Sequence, residues 1–559
     1  MLHHISKREK LIVMLAVMSG LLLVALDQTI VATALGSIVT EFKSYSSLGF
    51  VVTAYLLTST ITVPIAGKLS DMFGRRIILI IGVTLFTISS LLSGLAPSME
   101  WLIFWRLLQG IGGGIITANA FTIVGDLFTP RERGKWQGLV GAVFGMSSVI
   151  GPLLGGWLTD GQQVLGMTTD WRWTFFINVP VGILATILIA RYCPPFRHEQ
   201  EHHPDYIGAL FITIALASLV LAVDNTEVVF SSLISQGVAL SFIKGTLTVI
   251  SITAAALFIA TERRARQPII PLNFFKKKTF SLMMIITLLF GAAFLGAILY
   301  LTQFNQQVFG ATASTAGLML LPMVGGMMVS SITTGQVVSR VGKYKMFIIV
   351  GLSLSALSIL SLVTLQPDSP YWHEAITMAF AGIGMGMAMP ILNLAVQNEF
   401  EQKELGVATS SVQLSRGLGS TIGTALMSGL LTTGIVAALG NLNEIPYVQA
   451  LKQSPASSQV FQNGVSADTL LLVNTQQDTI RAYAEKSFAA IPVPAVRDAQ
   501  IKAFIQKQDA FRAQLISAFT ESLHRIFMIS SVLMVIAVAL ACFVKERPLR
   551  GGVNATPGE

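Results

Sequence analysis

The chain has 559 residues, of which 53% are hydrophobic and only 12% are charged. Soluble domains carry about 25% charged residues, so this composition excludes a soluble multidomain protein and indicates a polytopic membrane protein. The net charge of +8 does not indicate a nucleic-acid partner, because no basic tract is interleaved with aromatic residues.

Apolar runs of about 20 residues, long enough to cross a hydrocarbon core of roughly 30 Å, recur along the chain. Fourteen spans are predicted, at 11–33, 48–67, 77–96, 101–123, 136–158, 174–193, 206–223, 243–260, 280–304, 314–337, 346–365, 372–396, 409–436 and 525–544. Lys and Arg concentrate in one alternate set of connections and in both termini, so the positive-inside rule predicts cytoplasmic termini.

The long segment 437–524 is then extracellular. Its later part has helical periodicity and helix-forming composition. We interpret the segment as a helical cap or hairpin over the outer mouth; a docking site for a partner or substrate is the alternative.

An internal repeat relates the first six spans to the last six. Gly67 and Gly335 are each followed by a second glycine seven residues later and then by a basic residue, and the glycine-rich stretch 110–114 has a counterpart at 382–386. Parallel repeats of this kind are typical of transporters with two similar halves. The predicted fold is an all-α membrane protein with a six-helix bundle at 1–198, two inserted membrane helices and a basic linker at 199–278, and a second six-helix bundle at 279–559.

Asp27 is the only charged residue in the first apolar run, which extends from Leu11 to about Ala34. A carboxylate at membrane depth costs a few kcal/mol on insertion scales, so it indicates a function by default. Arg106, in the fourth run, is a plausible partner. A structural salt bridge is the alternative, but two buried charges rarely repay their desolvation. We interpret the pair as a proton switch.

The loop 67–76 combines a tight turn with charges of both signs. Asp71 near Arg75 and Arg76 can form ion pairs at a neighbouring helix end that break when the halves move, or can favour a helix N-terminus; a simple topological anchor is equally open. The stretches 110–114 and 151–156 have the small-residue spacing of closely packed helices, and a proline within a span permits a bend. The gating candidates are Gly67, Asp71, Gly74, Arg75, Arg76, Gly151, Pro152, Gly155 and Gly156.

Polar side chains at membrane depth can orient a ligand, although each alone more often makes a helix–helix hydrogen bond. The substrate-binding candidates are Gln109, Asn119, Gln303, Asn305, Asn393, Gln413 and Arg416. Arg416 has no obvious carboxylate partner in the sequence, and either lines a cavity or bonds to backbone carbonyls. No metal-ligand cluster and no G-x-x-x-x-G-K-[ST] phosphate loop is found. We therefore expect no metal, no cofactor and no enzymatic reaction.

Five segments together resemble the major facilitator superfamily. Residues 67–76 resemble its loop between spans two and three, and residues 26–35 resemble the first-span motif of its 14-span drug:proton antiporters of the EmrB/QacA type. Residues 106–110, 151–156 and 171–180 resemble, in order, the family's proton-coupling motif, its antiporter motif and the start of its span six.

The chain also departs from the family pattern at several points. Ser147 and Met72 stand where the family usually has a glycine and often has a basic residue. We find no carboxylate well inside a span of the second half, where some cation exporters of the family carry one.

The resemblance implies alternating access driven by the proton gradient, with Asp27 and Arg106 as the coupling pair. The expected function is export of hydrophobic or amphipathic, often cationic, compounds. An exporter of a lipid or glycolipid is the alternative, favoured by the long outer loop, Arg416 and the absence of further carboxylates. The expected partners are these substrates, protons and the lipid bilayer, with no nucleic acid. We expect a monomer in the bacterial cytoplasmic membrane.

Overall fold

The computed structural model describes residues 6–42, 48–159, 161–164, 166–194, 204–223, 226–452, 465–489 and 493–549. Lipid cannot satisfy backbone hydrogen bonds, so apolar runs of this length form helices. The helices are α1 (Lys7–Phe42), α2 (Leu48–Phe73), α3 (Arg75–Gly94), α4 (Met99–Leu127), α5 (Pro130–Thr159), α6 (Trp173–Phe176), α7 (Asn178–Tyr192), α8 (Tyr206–Val223), α9 (Thr226–Val229), α10 (Ser231–Ser235), α11 (Leu240–Glu262), α12 (Lys278–Gln307), α13 (Ala313–Met319), α14 (Leu321–Val341), α15 (Lys345–Ser361), α16 (Tyr371–Gln397), α17 (Leu405–Leu439), α18 (Pro446–Lys452), α19 (Ala467–Thr475), α20 (Gln477–Phe488) and α21 (Pro494–Cys542). A short antiparallel hairpin, β1 (Gln163–Val164) and β2 (Met167–Thr168), lies between α5 and α6.

Thirteen helices of the described residues are long and apolar enough to cross a membrane, and they coincide with thirteen of the fourteen predicted spans. The exception is the tenth span, 314–337. It forms α13 and α14, and α14 carries glycine, serine, threonine and glutamine residues among its apolar ones. Because α14 packs between α5 and α16, neighbouring helices cover much of its surface and it needs less apolar surface than a lipid-facing helix. The predicted all-α membrane fold is confirmed.

The two halves pack their helices in the same order. In the first half, α1 packs on α5 and α7, and α4 packs on α2 and α3. In the second half, α12 packs on α17 and α21, and α16 packs on α14 and α15. Helices α8 and α11 pack on each other, and α8 also contacts α2. The domain boundaries, and the status of α8 and α11 as an insertion, stay predictions.

Glycines on α4 and α16 allow close packing at corresponding places in the two halves. A Cβ atom on Gly112 would lie 2.6 Å from the backbone nitrogen of Phe86 and 2.8 Å from the carbonyl oxygen of Gly82, both on α3. On α16, a Cβ atom on Gly384 would lie 2.6 Å from the carbonyl oxygen of Gly351 on α15. Side chains do not fit at such distances, so the predicted glycine-rich packing surface is present in both halves.

Most of the described residues of the segment 437–524 are helical, and the helix predicted for its later part is confirmed by α21. Helix α21 begins at Pro494 and runs without a break into the last span. Tyr447 of α18 packs against Phe504 and Phe511 of α21, with ring centroids 5.5 Å and 5.1 Å apart. Gln508 of α21 donates a hydrogen bond to the Tyr447 hydroxyl at 3.0 Å. The segment therefore packs on the extended end of α21, and its role as a cap stays a prediction.

Candidate proton-coupling and gating sites

Asp27 of α1 lies inside the first half with none of its surface exposed. It forms a salt bridge with Arg106 of α4, which is 1% exposed. The second carboxylate oxygen accepts hydrogen bonds from Gln109 Nε2 at 2.9 Å and from Asn178 Nδ2 of α7 at 3.2 Å. Three donors on two other helices thus satisfy the ionised form of Asp27.

Arg106 has contacts beyond Asp27. Its Nε donates to the carbonyl oxygen of Val51 at 3.3 Å, and its Nη1 donates to Gln109 Oε1 at 2.9 Å. The guanidinium carbon also lies 4.5 Å from the centre of the Tyr55 ring. These contacts do not depend on the charge of Asp27, so they can hold the cation when the carboxylate is neutralised.

Asn178 belongs to this cluster although the sequence analysis does not select it as a site residue. Its amide also donates to the hydroxyl of Ser90 on α3 at 3.0 Å, which connects a fourth helix to the carboxylate. A polar residue in an apolar run is the available signal. The sequence does not show that this position on α7 faces Asp27.

Helix α1 packs closely on α5 beside Asp27. The hydroxyl of Thr29 donates to the carbonyl oxygen of Ser147 at 3.0 Å, and Gly151 lies against the same threonine. The contact uses the backbone of Ser147, so the departure from the family's glycine at this position does not remove it.

The rest of the 151–156 stretch has a second contact face. A Cβ atom on Gly155 would lie 2.8 Å from the carbonyl oxygen of Ile30 on α1, so this glycine is required by close approach. Pro152 instead contacts Gly317 of α13, in the second half. Gly156 is half-buried at the same end of α5. The stretch therefore links α1, and with it the neighbourhood of Asp27, to the second half.

A second charged cluster joins the two halves at the end of the molecule that carries the 67–76 loop. Asp71 forms a salt bridge with Arg75, and its Oδ2 accepts a hydrogen bond at 3.0 Å from the backbone N–H of Val407 at the start of α17. Arg75 also donates to Asp126 Oδ2 at 2.8 Å and to Ser70 Oγ at 2.6 Å. Asp71 thus lies at a helix N-terminus of the other half, where a negative charge is stabilised.

Other members of the predicted loop shape this contact. A Cβ atom on Gly67 would lie 2.9 Å from the carbonyl oxygen of Gly406 on α17. Gly74 has a φ of 96°, a conformation that favours glycine, and so allows the turn into α3. Arg76 does not share the Asp71 cluster; it donates to the carbonyl oxygen of Ala190 at the end of α7.

The repeat places a counterpart of this contact in the second half. Ser339 follows Gly335 by four residues, as Asp71 follows Gly67, and its hydroxyl donates to the carbonyl oxygen of Arg131 at the start of α5. A Cβ atom on Gly134 would lie 2.8 Å from the carbonyl oxygen of Gly335. Both contacts therefore join a loop of one half to the start of a helix of the other, through a carboxylate at Asp71 and a hydroxyl at Ser339.

The predicted substrate-binding residues do not form one cluster. Gln109 is part of the Asp27 network, and Asn119 donates to the carbonyl oxygen of Ile115 on its own helix at 2.8 Å. Gln413 of α17 donates to Asn393 Oδ1 of α16 at 2.8 Å, as expected of a helix–helix hydrogen bond. Their roles in substrate binding stay predictions.

One of the remaining amides lies beside a buried carboxylate that the sequence analysis does not single out. Glu374, in the first turn of α16, has no exposed surface. Asn305 of α12 is also buried, and its side chain is the neighbour that interacts with the Glu374 carboxylate. Gln303, two residues earlier on α12, is half-buried. The position of Glu374 near the start of a span gives no sign of complete burial.

Arg416 lies on α17 and reaches aromatic rings of the other half. Its guanidinium carbon is 5.3 Å from the ring centre of Phe144 on α5 and 5.7 Å from that of Phe121 on α4. Its Nη1 is buried without a hydrogen-bond partner. Among the residues described, no carboxylate forms an ion pair with Arg416 and no backbone carbonyl accepts from it. Of the two interpretations left open by the sequence, this arrangement favours a side chain that lines the space between the halves.

The ranges that the structure describes contain no group of three or more His, Cys, Asp or Glu side chains that could hold a metal ion. The clusters above consist of carboxylates, guanidinium groups, amides and hydroxyls, which form ion pairs and hydrogen bonds, and the carboxylates can also bind protons.

Known proteins are similar to this chain in sequence. The family model described as Major Facilitator Superfamily matches residues 17–424. The chain is 34% identical over 542 residues to the multidrug transporter protein MdtP of Bacillus subtilis, covering 97% of this chain and 93% of that protein. It is also 34% identical over 420 residues to multidrug resistance protein 3 of Bacillus subtilis, covering 75% of this chain and 79% of that protein.

Among solved structures, the proton:xylose symporter XylE bound to 6-bromo-6-deoxy-D-glucose superposes with a TM-score of 0.56 at 16% identity. The match covers 77% of this chain and 91% of that one. At this identity the likeness concerns the fold alone.

Proposed function

The chain belongs to the major facilitator superfamily and is a multi-pass membrane transporter rather than an enzyme, and we propose that it is a proton-coupled exporter of hydrophobic or amphipathic compounds. Two relatives named for multidrug transport or resistance support export of such compounds. The cytoplasmic membrane of a bacterium, with both termini cytoplasmic, is the proposed location, supported by the distribution of Lys and Arg and by the Bacillus relatives. The proton gradient supplies the energy, without a cofactor.

The observation that carries the proposal is the completely buried Asp27–Arg106 pair with its amide donors. Ionised Asp27 is held by Arg106, Gln109 and Asn178. A proton arriving on Asp27 removes the charge that these donors favour and weakens the link between α1 and α4. Arg106 then keeps its contact with the Tyr55 ring and its hydrogen bonds to one backbone and one amide oxygen. The guanidinium therefore still has partners when Asp27 is protonated.

Protonation of Asp27 can affect the second half through a series of adjacent helix contacts. Asp27 is two residues from Thr29, which is bonded to α5, and Pro152 of α5 touches Gly317 of α13. A small shift of α1 is thus transmitted to the boundary between the halves. At the other end, Asp71 holds the start of α17 and must release it when that end opens.

The energy of one proton is adequate for this task. One charge crossing 100 mV supplies about 2.3 kcal/mol. Since about 1.4 kcal/mol corresponds to a tenfold gradient, one-for-one exchange can hold a roughly fiftyfold gradient of a neutral substrate.

The test is efflux of a hydrophobic dye from cells expressing the wild type or Asp27→Asn at equal levels. The variant is expected to lose uphill efflux and to retain movement of the dye down its own gradient, because an amide cannot carry a proton. Asp368→Asn, which alters an exposed carboxylate between α15 and α16, is the matched control and is expected to pump normally. Undiminished uphill efflux by the Asp27 variant refutes the coupling role.

A further inference from the structure

Arg416 differs from the buried arginines in the hydrogen bonds and ion pairs that it makes. Arg106 is paired with Asp27, and Arg75 is paired with two carboxylates. Arg133 donates to the backbone carbonyls of Gly125 and Phe128. Arg416 is half-buried, and among the described residues it makes neither kind of contact and its Nη1 has no partner. The aromatic rings near its guanidinium stabilise the charge but leave its N–H donors available to a further partner.

The surroundings of Arg416 add an apolar platform. The Phe121 and Phe144 rings that face its guanidinium stack with centroids 6.3 Å apart and planes 20° apart. These rings belong to the first half and the arginine to the second, so the three side chains meet at the boundary between the halves. Arg416 is eleven residues from the start of α17, about 16 Å along the helix, which places it inside the membrane rather than at its surface.

No acidic group of the described residues is placed to neutralise this cation. The buried carboxylate of Glu374 lies in the first turn of α16, and α16 starts at the opposite end of the molecule from α17. Gln413, one turn away on α17, is engaged with Asn393. The positive charge is therefore free to act on a ligand.

We propose that Arg416, Phe121 and Phe144 form a subsite for the anionic group of an amphipathic substrate. The guanidinium binds a carboxylate, sulfonate or phosphate, and the apolar body of the same molecule lies against the aromatic pair. A guanidinium is weakly hydrated and offers two parallel donors to an oxyanion, which suits this task at membrane depth. The inference rests on the proposed export function and narrows its cargo from amphipathic compounds in general to amphipathic anions.

The test uses two dyes with the same aromatic body. 1-Anilinonaphthalene-8-sulfonate carries a sulfonate, and N-phenyl-1-naphthylamine is its neutral analogue. Binding to the purified full chain in phosphatidylcholine nanodiscs is measured by equilibrium dialysis, with empty nanodiscs subtracted. No proton gradient is present, so the result does not depend on Asp27 and is separable from the efflux test of the proposed function.

We expect Arg416→Gln to weaken binding of the sulfonate dye at least tenfold and binding of the neutral dye less than twofold. Arg416→Lys keeps the charge but loses the two parallel donors, and it is expected to weaken binding of the sulfonate dye less than Arg416→Gln does. Arg340→Gln removes an exposed arginine of α14 and is expected to change neither. The wild type alone is also expected to bind the sulfonate dye more tightly than its neutral analogue, which keeps the test valid if the glutamine variant does not fold.

A further arm separates two sources of the anion. If a lipid headgroup is the natural occupant, phosphatidylglycerol in the nanodiscs is expected to compete with the sulfonate dye in the wild type and not in Arg416→Gln. Absence of this competition assigns the subsite to free amphipathic anions. The proposal is overturned if the wild type does not bind the sulfonate dye, or if Arg416→Gln weakens both dyes equally or neither.

Discussion

Replacing Asp71 by Asn is expected to shift the transporter towards the state that is open at the end carrying the 67–76 loop. The change keeps a neutral acceptor for the N–H of Val407 but removes the charge. Hydrogen bonds to charged groups contribute about 1.5–3 kcal/mol and neutral ones about 0.5–1.5 kcal/mol, so the contact loses about 1–2 kcal/mol. Arg75 keeps Asp126 as its partner at 2.8 Å, so the first half itself remains intact. The population open at this end should therefore rise about 5–30-fold.

Distances between spin labels across this end measure that population. Lys135 on α5 and Lys343 in the α14–α15 loop are exposed and lie on opposite halves, and both native cysteines are first replaced by serine. The variant is expected to gain a longer-distance population, whereas Ser339→Ala, which alters the uncharged counterpart, should change it less than threefold. An unchanged distance distribution in the Asp71 variant, or opening at the opposite end, contradicts the reasoning.

Three further outcomes are expected. Gly112→Ala forces a Cβ atom to within 2.8 Å of the α3 backbone and should destabilise the fold by about 1–3 kcal/mol, seen as a lower melting temperature; Gly245→Ala, with open space around it, is the neutral control. The pKa of Glu41 is lowered by its hydrogen-bonded arginine partner from the ordinary 4.5. The stability of that pair is thus present above pH 4.5 and lost as the pH falls through the lower folded-state pKa. The unfolding free energies of the wild type and Glu41→Gln should then differ by less than about 1 kcal/mol at pH 7, because both groups are partly exposed, and should converge as the pH falls below 4.5. Cys193 is buried and Cys542 is exposed, so a membrane-impermeant maleimide should label Cys542 alone, and only in inverted vesicles if the termini are cytoplasmic; labelling of Cys542 in intact cells contradicts the topology.

Pairing of Asp27 with Arg106 could be predicted from the sequence because charges are rare in apolar runs. Each such charge needs a partner at membrane depth, and few partners are available. Asn178 and Asp126 could not be selected in the same way. Both are ordinary polar residues at the ends of helices, and their importance depends on which face of the helix meets a charged neighbour.

The internal repeat is weak in the sequence, yet the two repeated loops make equivalent contacts in the structure. Gly67 and Gly335 share only glycine spacing and a following basic residue, yet each places its loop on the start of a helix in the other half. The two contacts still differ chemically, because Asp71 is charged and Ser339 is not. The spacing of the glycines could be read from the sequence, whereas the helix that each loop contacts could not.

The sequence by itself determined that this chain crosses the membrane as helices, that its halves repeat, and that placing the Asp27 carboxylate at membrane depth costs free energy. These properties depend on composition and periodicity, which act locally along the chain. Only the tertiary structure decided that Asp27 is held by donors from two other helices and that Glu374 is fully buried. It also decided that Arg416 meets the aromatic rings of the opposite half, with no counterion among the described residues. These facts depend on the rotation and depth at which helices distant in sequence pack together, and long-range packing sets both.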